Sequence, residues 1–256
     1  PLTMEFTMKE PYMLEGLNSW REYMLQNSIE EKTNILKSYE FRKKVIEEIL
    51  DTTKNKLFIG NWEKIKLLKS NKSILNKHLG KNIYEISKYY NKEPFDWLLD
   101  NAVEEGMNDL FTAELLNSDD EQVEKLLTHK HATIALSDAG AHTSLLCDAG
   151  YALELLGKWT REMKVFSIEQ AIYKLCGKQA DICRIPKRGR LVPGYYADMI
   201  LFDPKKVNIS KPFRVNDLPA KSERLIVEPV GLKEVWVNGI NTKINSSGRF
   251  LKEFLS

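Results

Sequence analysis

A short apolar segment followed by very small residues constrains this chain more than any other feature. The run Ala132-Thr133-Ile134-Ala135-Leu136 has the length and β-branching of a buried strand, and the next six residues read SDAGAH. The pattern predicts a strand that delivers Asp138 into a loop of tiny side chains, with His142 four positions later. Small side chains let a metal ion or a substrate approach the backbone closely. The structural alternative is a strand followed by a turn, with Asp138 capping the next element.

The place of Asp138 in this pattern is typical of a catalytic group. Enzymes built on a (β/α) barrel carry their catalytic side chains at the carboxyl ends of the barrel strands. We therefore expect Asp138 to be catalytic. His142, in the loop that would cover the pocket, would either contact a substrate carboxylate or hold the loop by hydrogen bonds.

Two later stretches, read in order after SDAGAH, resemble a known family. Residues 188–203 read RGRLVPGYYADMILFD and residues 235–239 read VWVNG. The ordered set resembles the C-terminal half of the metal-dependent amidohydrolase superfamily, and within it the N-acyl-D-amino-acid deacylases of the amidohydrolase 3 group. The opening PLTMEFTM and the helix SIEQAIYKL are similar to the same branch. The resemblance extends from Pro1 to about Asn241 and is weakest between residues 50 and 75.

The resemblance implies a chemistry for Asp138. In the family, the aspartate that ends the last barrel strand binds the catalytic zinc and transfers protons, and one or two zinc ions are present. Zinc lowers the pKa of bound water from about 15.7 to about 7, and a nearby carboxylate can take the proton as hydroxide attacks an amide carbonyl. The implied activity is deacylation of N-acyl-D-amino acids, which is hydrolysis of a C–N bond other than a peptide bond. The alternatives are a catalytically inactive scaffold and a related cyclic amidase or D-peptidase.

The implied fold is α/β, in two parts. Residues 1–185 would be the C-terminal part of a TIM-like (β/α) barrel with a helical insertion, and residues 186–256 would be a β-rich sandwich segment, with the boundary near 183–187. Apolar spacing and capping residues predict helices over 39–50, 83–110 with a break at 91–94, 120–127, 151–161 and 167–183. Short β-rich runs predict strands over 199–202, 225–227 and 234–237.

The histidines outside SDAGAH are not expected to bind metal. His129 and His131 form an HxH pair, but the pair precedes the apolar segment and would lie at the amino end of a barrel strand, away from catalytic groups. His78 lies in a segment rich in Lys and Asn and is predicted to be solvated. Asp198 and Asp203 flank a predicted strand and are interpreted as turn and cap residues.

The ligand count falls short of a zinc site. Such a site needs three or more protein ligands, and Asp138 is the one credible ligand in this chain. The family's HxH strand and its further histidines lie upstream of the matched segment. We therefore expect this chain to be the C-terminal portion of a longer deacylase, with weak or absent zinc binding by itself. The partner would be the missing N-terminal half or a second copy of the chain.

Composition excludes several other classes of function. The net charge is +2, which gives no electrostatic case for nucleic-acid binding. No run approaches the roughly 18 apolar residues of a membrane span. The 3 cysteines have no CxxC spacing, which favours a reducing compartment, and we expect a cytoplasmic protein that acts on a small amide substrate.

Overall fold

The computed structural model describes residues 1–134, 137 and 139–251. The chain divides into two compact units, Pro1–Asp119 and Asp120–Ser256. None of the helices in the described part of the chain has both the length and the apolar character needed to cross a membrane. The predicted boundary near 183–187 stays a prediction.

The first unit combines six helices with a small antiparallel sheet. The helices are α1 (Tyr12–Glu15), α2 (Arg21–Met24), α3 (Ile29–Lys37), α4 (Tyr39–Leu50), α5 (Ile83–Tyr89) and α6 (Pro94–Glu105). The strands are β1 (Leu2–Phe6), β2 (Ile65–Lys69) and β3 (Leu110–Leu116), in the order β1-β3-β2. Strand β3 is central, so β1 at the start of the unit pairs with residues more than a hundred positions away.

Strand β1 was not predicted, although its signal is present. Met4 and Phe6 are buried while Glu5 between them is half-buried, which is the alternation of a strand with one face on the core. Phe6 stacks on Phe111 of β3, with ring centroids 5.5 Å apart.

The predicted pair of helices after residue 83 is confirmed. Asn82 caps α5 by accepting a hydrogen bond from the Glu85 amide, and the Glu85 carboxylate accepts one from the Asn82 amide. Helix α6 begins at Pro94, where a missing N–H costs nothing, and ends at Gly106 in the left-handed conformation.

An arginine joins α4 to α6 at the edge of this core. Arg42 forms ion pairs with Asp96 at 3.0 Å and with Asp100 at 2.7 Å, and its Nε donates to the Leu36 carbonyl at 2.7 Å. The Arg42 side chain is only 17% exposed, whereas those of Asp96 and Asp100 are 49% and 31% exposed. The planar guanidinium can hold two carboxylates and a carbonyl at once, which a lysine could not do in the same geometry.

The second unit consists of a helical part and a β-rich part. Its helices are α7 (Asp120–Thr128), α8 (Tyr151–Glu154), α9 (Ile168–Ile172) and α10 (Lys178–Ile182), with π-helical stretches at Leu155–Glu162 and Tyr173–Gly177. Its strands are β4 (Met199–Phe202), β5 (Asn208–Ile209), β6 (Phe213–Val215), β7 (Arg224–Ile226), β8 (Pro229–Val230), β9 (Leu232–Val237) and β10 (Ile240–Asn241). They form the sheets β10-β9-β4, β5-β8 and β6-β7, all antiparallel.

Two helical runs, residues 151–162 and 168–182, form the core of the second unit. Leu155, Trp159 and Phe166 are buried against Ala171, which is fully inaccessible. The capping box predicted at Ser167 is confirmed: its hydroxyl accepts from the Gln170 amide at 3.2 Å, and the Gln170 side chain accepts from the Ser167 amide at 2.9 Å.

The interpretation as turn and cap residues is confirmed for Asp203, whereas Asp198 lies outside a turn and binds groups from other segments. Asp198 forms an ion pair with Arg188 and accepts a hydrogen bond from the Asn238 amide at 2.9 Å. Asp203 accepts from the Lys205 amide at 2.9 Å, as a turn residue does. Gly189 has a φ of +80°, and a Cβ there would lie 2.7 Å from the Ala180 Cβ, so this turn requires glycine.

The predicted strand at 132–136 is wrong for Ala132–Ile134, which lie outside any strand, while Ala135 and Leu136 lie outside the described residues. Side chains bind this backbone where a neighbouring strand would: Lys178 Nζ donates to the Ala132 carbonyl and Gln179 Nε2 to the Ile134 carbonyl. The helices and sheets of the α/β prediction are confirmed, whereas the barrel and the sandwich stay predictions.

The prediction that His78 is solvated is wrong. Its side chain is 1% exposed and packs on the rings of Tyr89 and Tyr90, at centroid distances of 4.9 and 5.5 Å. Neither ring nitrogen has a hydrogen-bond partner among the described residues. Burial, followed by the charges of Lys77 and Lys81, lowers the pKa of His78 below its usual value.

His78 should make the stability of the chain depend on pH. Its pKa is lower in the folded than in the unfolded state, so the unfolded chain takes up the proton first as pH falls below about 6.5. We expect the free energy of unfolding, measured by urea denaturation, to fall between pH 7 and pH 5. In His78→Phe this fall should be smaller.

The exposed His131 provides the control. His131→Phe should keep the pH dependence of the wild-type chain. An identical slope for His78→Phe and the wild type would show that His78 is not the group responsible.

Candidate active-site segment around residues 137 to 150

Asp138, the predicted catalytic residue and zinc ligand, lies outside the described residues. Its neighbours Ser137 and Ala139 are described, and the Ala139 amide donates to the Ser137 hydroxyl at 3.3 Å. Ser137 therefore acts as a local hydrogen-bonding group beside Asp138.

His142 turns the backbone of the segment that follows. Its carbonyl accepts hydrogen bonds from the amides of Leu145 at 2.8 Å and Leu146 at 3.1 Å. Its φ is +48°, in the left-handed region that residues other than Gly, Asn and Asp rarely adopt. The side chain is exposed. The backbone of His142 thus shapes the loop, and contact of its imidazole with substrate stays a prediction.

The C-terminal end of this segment contacts the β-rich part of the unit. The Leu225 amide, in β7, donates to the Thr143 carbonyl at 2.8 Å. Gly150 lies against β5, where a Cβ would be 2.5 Å from Ile209 Cγ2. Leu146 between them is buried. A backbone hydrogen bond and apolar packing therefore contribute to holding the loop, with Gly150 at the close approach to β5.

His129 and His131 lie in the turn after α7, and both are exposed. Their ring centroids are 5.6 Å apart, and His129 Nδ1 accepts a hydrogen bond from the His131 amide at 3.3 Å. This hydrogen bond occupies Nδ1 of His129 and does not involve its Nε2.

Zinc is the metal that the sequence resemblance implies, and the described residues do not provide a site for it. Across 1–134, 137 and 139–251, no three His, Cys, Asp or Glu side chains are grouped so that they could hold a metal ion. No catalytic step through zinc can therefore be assigned to these residues.

The match to a known family decides what kind of chain this is. A model of the amidohydrolase family matches residues 90–240, which is more than half of the chain and includes SDAGAH and the β-rich motifs. The chain belongs to the amidohydrolase family. The resemblance predicted from the ordered motifs is confirmed.

Two characterised relatives of this amidohydrolase come from Alcaligenes xylosoxydans xylosoxydans. An N-acyl-D-aspartate deacylase is 34% identical over 94 residues, which is 35% of this chain and 16% of the relative. A D-aminoacylase is 32% identical over 85 residues, which is 33% of this chain and 16% of the relative. The matched stretches thus span about a sixth of each relative's length.

Solved structures of similar proteins overlap only loosely with this amidohydrolase. An N-acyl-D-glutamate deacylase from Bordetella bronchiseptica, complexed with zinc and a phosphonate inhibitor, is 18% identical with a TM-score of 0.39, covering 71% of this chain and 35% of that one. A D-aminoacylase is 23% identical with a TM-score of 0.37, covering 69% and 34%. Similarity at this level supports no conclusion about the fold or the site of this chain.

The left-handed backbone at His142 predicts an order of stability between two substitutions. Both His142→Asn and His142→Val remove the imidazole, but only Asn tolerates a positive φ at small cost. We expect the Val variant to be less stable than the Asn variant by about 1 kcal/mol in urea unfolding. Equal stability would mean that the loop does not hold this conformation in solution.

We also predict that the 256-residue chain binds zinc weakly, since one carboxylate and one imidazole cannot complete a tetrahedral shell. The measurement is the zinc content after dialysis against a mild chelator, which should be far below one ion per chain. Stoichiometric zinc after dialysis would contradict the ligand count.

Proposed function

We propose that this chain is part of an enzyme that hydrolyses the amide bond of N-acyl-D-amino acids, releasing a carboxylate and a free amino acid. The observation that carries the proposal is the family match over residues 90–240, which contains the complete SDAGAH segment. The stretches shared with the deacylase and the D-aminoacylase favour this substrate class among the amides that the family could take.

Asp138 is the residue to which the proposal gives the chemistry. A carboxylate beside the scissile amide accepts a proton from the attacking water and then protonates the departing amine. The residues around it, Ala139, Gly140 and Ala141, have no bulk to keep a substrate away.

His142 is the proposed contact for the substrate carboxylate. Every N-acyl amino acid carries that group, and an imidazole four positions from the acid–base residue, on an exposed turn, can donate a hydrogen bond to it. Loss of the imidazole should then raise KM more than it lowers kcat, because the carboxylate lies away from the reacting carbonyl.

The direct test is a substrate panel. N-acetyl derivatives of D-aspartate, D-glutamate and D-leucine are incubated with the 256-residue chain and, in parallel, with the product of the whole reading frame, and free amino acid is measured. We expect release from at least one D-substrate and little from its L-enantiomer. Hydrolysis confined to cyclic amides or D-peptides, or no amide hydrolysis, would exclude deacylation.

In whichever protein is active, Asp138→Asn should lower kcat by about 10²–10⁴-fold while the circular dichroism spectrum stays unchanged. The amide has nearly the same size as the carboxylate but cannot accept the proton. The matched control replaces His129 and His131 with Gln, which should leave turnover within about twofold. Near-normal activity in a folded Asp138→Asn protein would remove this residue from the mechanism.

A further inference from the structure

All the charged side chains that line one cavity in the second unit are positive. It measures about 460 Å³ and lies between the end of α7 and the helical run 168–182. Lys130, Lys174 and Lys178 line it, together with neutral residues, and no acidic side chain does. The volume falls in the range of pockets that hold small organic ligands.

Backbone carbonyls hold two of the three ammonium groups in place. Lys174 Nζ donates to the Leu127 carbonyl at 2.9 Å, and Lys178 Nζ donates to the carbonyls of Lys130 at 3.2 Å and Ala132 at 2.5 Å. An ammonium has three donors, so each group keeps at least one beyond these bonds. These side chains are therefore positioned while retaining hydrogen-bonding capacity.

The positive charges of this cavity are not neutralised within the described part of the chain. None of the three lysines forms an ion pair with a described carboxylate, whereas Lys125 pairs with Glu121 at 2.7 Å. Lys174 and Lys178 are four positions apart on one helical run, where like charges repel. Burial, and then the charge of Lys178, lowers the pKa of Lys174. An anion in the cavity would relieve this repulsion.

Two aromatic residues also line the cavity. Phe166 is buried, and Lys174 Nζ lies 5.3 Å from the centre of its ring. Tyr173, about half exposed, provides a second ring. The cavity can thus take an anionic group at the lysines and an apolar or planar group against the rings.

The cavity is distinct from the candidate active-site segment in the sequence. Lys130 precedes residues 132–134, whereas Asp138 and His142 follow them. Lys174 lies in the family-like helix SIEQAIYKL, and the proposed deacylation uses none of the three lysines.

We propose that this cavity binds a small organic phosphate, with the phosphate group between Lys130, Lys174 and Lys178. A phosphate carries up to two negative charges and several acceptor oxygens, which suits three ammonium groups better than the single charge of a carboxylate does. Lysine is a common phosphate ligand that acts as a point charge.

The test measures binding of two probes to the 256-residue chain by isothermal titration calorimetry at one fixed ionic strength. Inorganic phosphate reports on the anion site, and phenyl phosphate reports on the added ring. We expect saturable binding of one phosphate per chain, with phenyl phosphate tighter because its ring can pack against Phe166 or Tyr173. N-acetyl-D-leucine, a substrate-like monocarboxylate, should not compete at equal concentration.

Variants that each remove one positive charge distinguish binding in the cavity from non-specific electrostatic attraction of phosphate to the chain. Lys174→Met and Lys130→Met should each weaken phosphate binding about tenfold or more, because each removes a charge-assisted hydrogen bond. Lys125→Met removes the same charge outside the cavity and should change binding less than twofold. Lys130→Met decides the question if Lys174→Met does not fold, since Lys130 has its backbone carbonyl, not its ammonium, in the hydrogen bond with Lys178.

Three results would overturn the proposal. The first is no saturable phosphate binding by the wild-type chain. The second is an equal loss in Lys125→Met, which would indicate non-specific attraction. The third is binding of N-acetyl-D-leucine that is as tight as that of phosphate and depends on the same lysines, which would make the cavity a carboxylate site. Deacylase activity is measured in a separate assay, with and without phosphate. Failure of phosphate binding can then be distinguished from failure of the proposed deacylation.

Discussion

Apolar packing around Ala171 is the contact on which the second unit depends. The helical runs 151–162 and 168–182 bury Trp159 and Phe166 against it, and Ile134 packs on the same cluster. Burial of apolar surface is the main favourable contribution to folding, and this cluster is small, so each member matters. Because it fixes the second helical run, it also places Lys174 and Lys178 beside Lys130 and positions the segment that leads to Ser137.

One stretch of backbone links the two features of functional interest. The carbonyls of Ala132 and Ile134 accept hydrogen bonds from Lys178 and Gln179. The lysine-lined cavity is built partly from residues before this stretch, and the SDAGAH segment begins after it. Lys178 is common to both features, since its ammonium group binds the Ala132 carbonyl and the residue lines the cavity.

Elements with local hydrogen-bonding signals could be predicted from the sequence. The capping box at Ser167, the break before Pro94 and the strand Met199–Phe202 are set by residues within a few positions of one another. Predictions that needed distant partners were less successful. His78 looked solvated because its neighbours are polar, yet Tyr89 and Tyr90 cover its ring. For the candidate site, the sequence indicated the SDAGAH segment. The predicted catalytic residue in it, Asp138, lies outside the described residues.

The sequence by itself determined the family, because the ordered motifs from SDAGAH to VWVNG are a property of the chain and need no coordinates. Tertiary structure alone decided that Ala132–Ile134 bind side chains and form no strand, and that three lysines share a cavity. The physical reason is distance along the chain: Lys130 and Lys178 are 48 positions apart, and only folding determines which charges and carbonyls meet. Lys174 and Lys178 are four positions apart in the sequence, but the third lysine and the absence of acidic side chains from the described lining of the cavity could not be read from it.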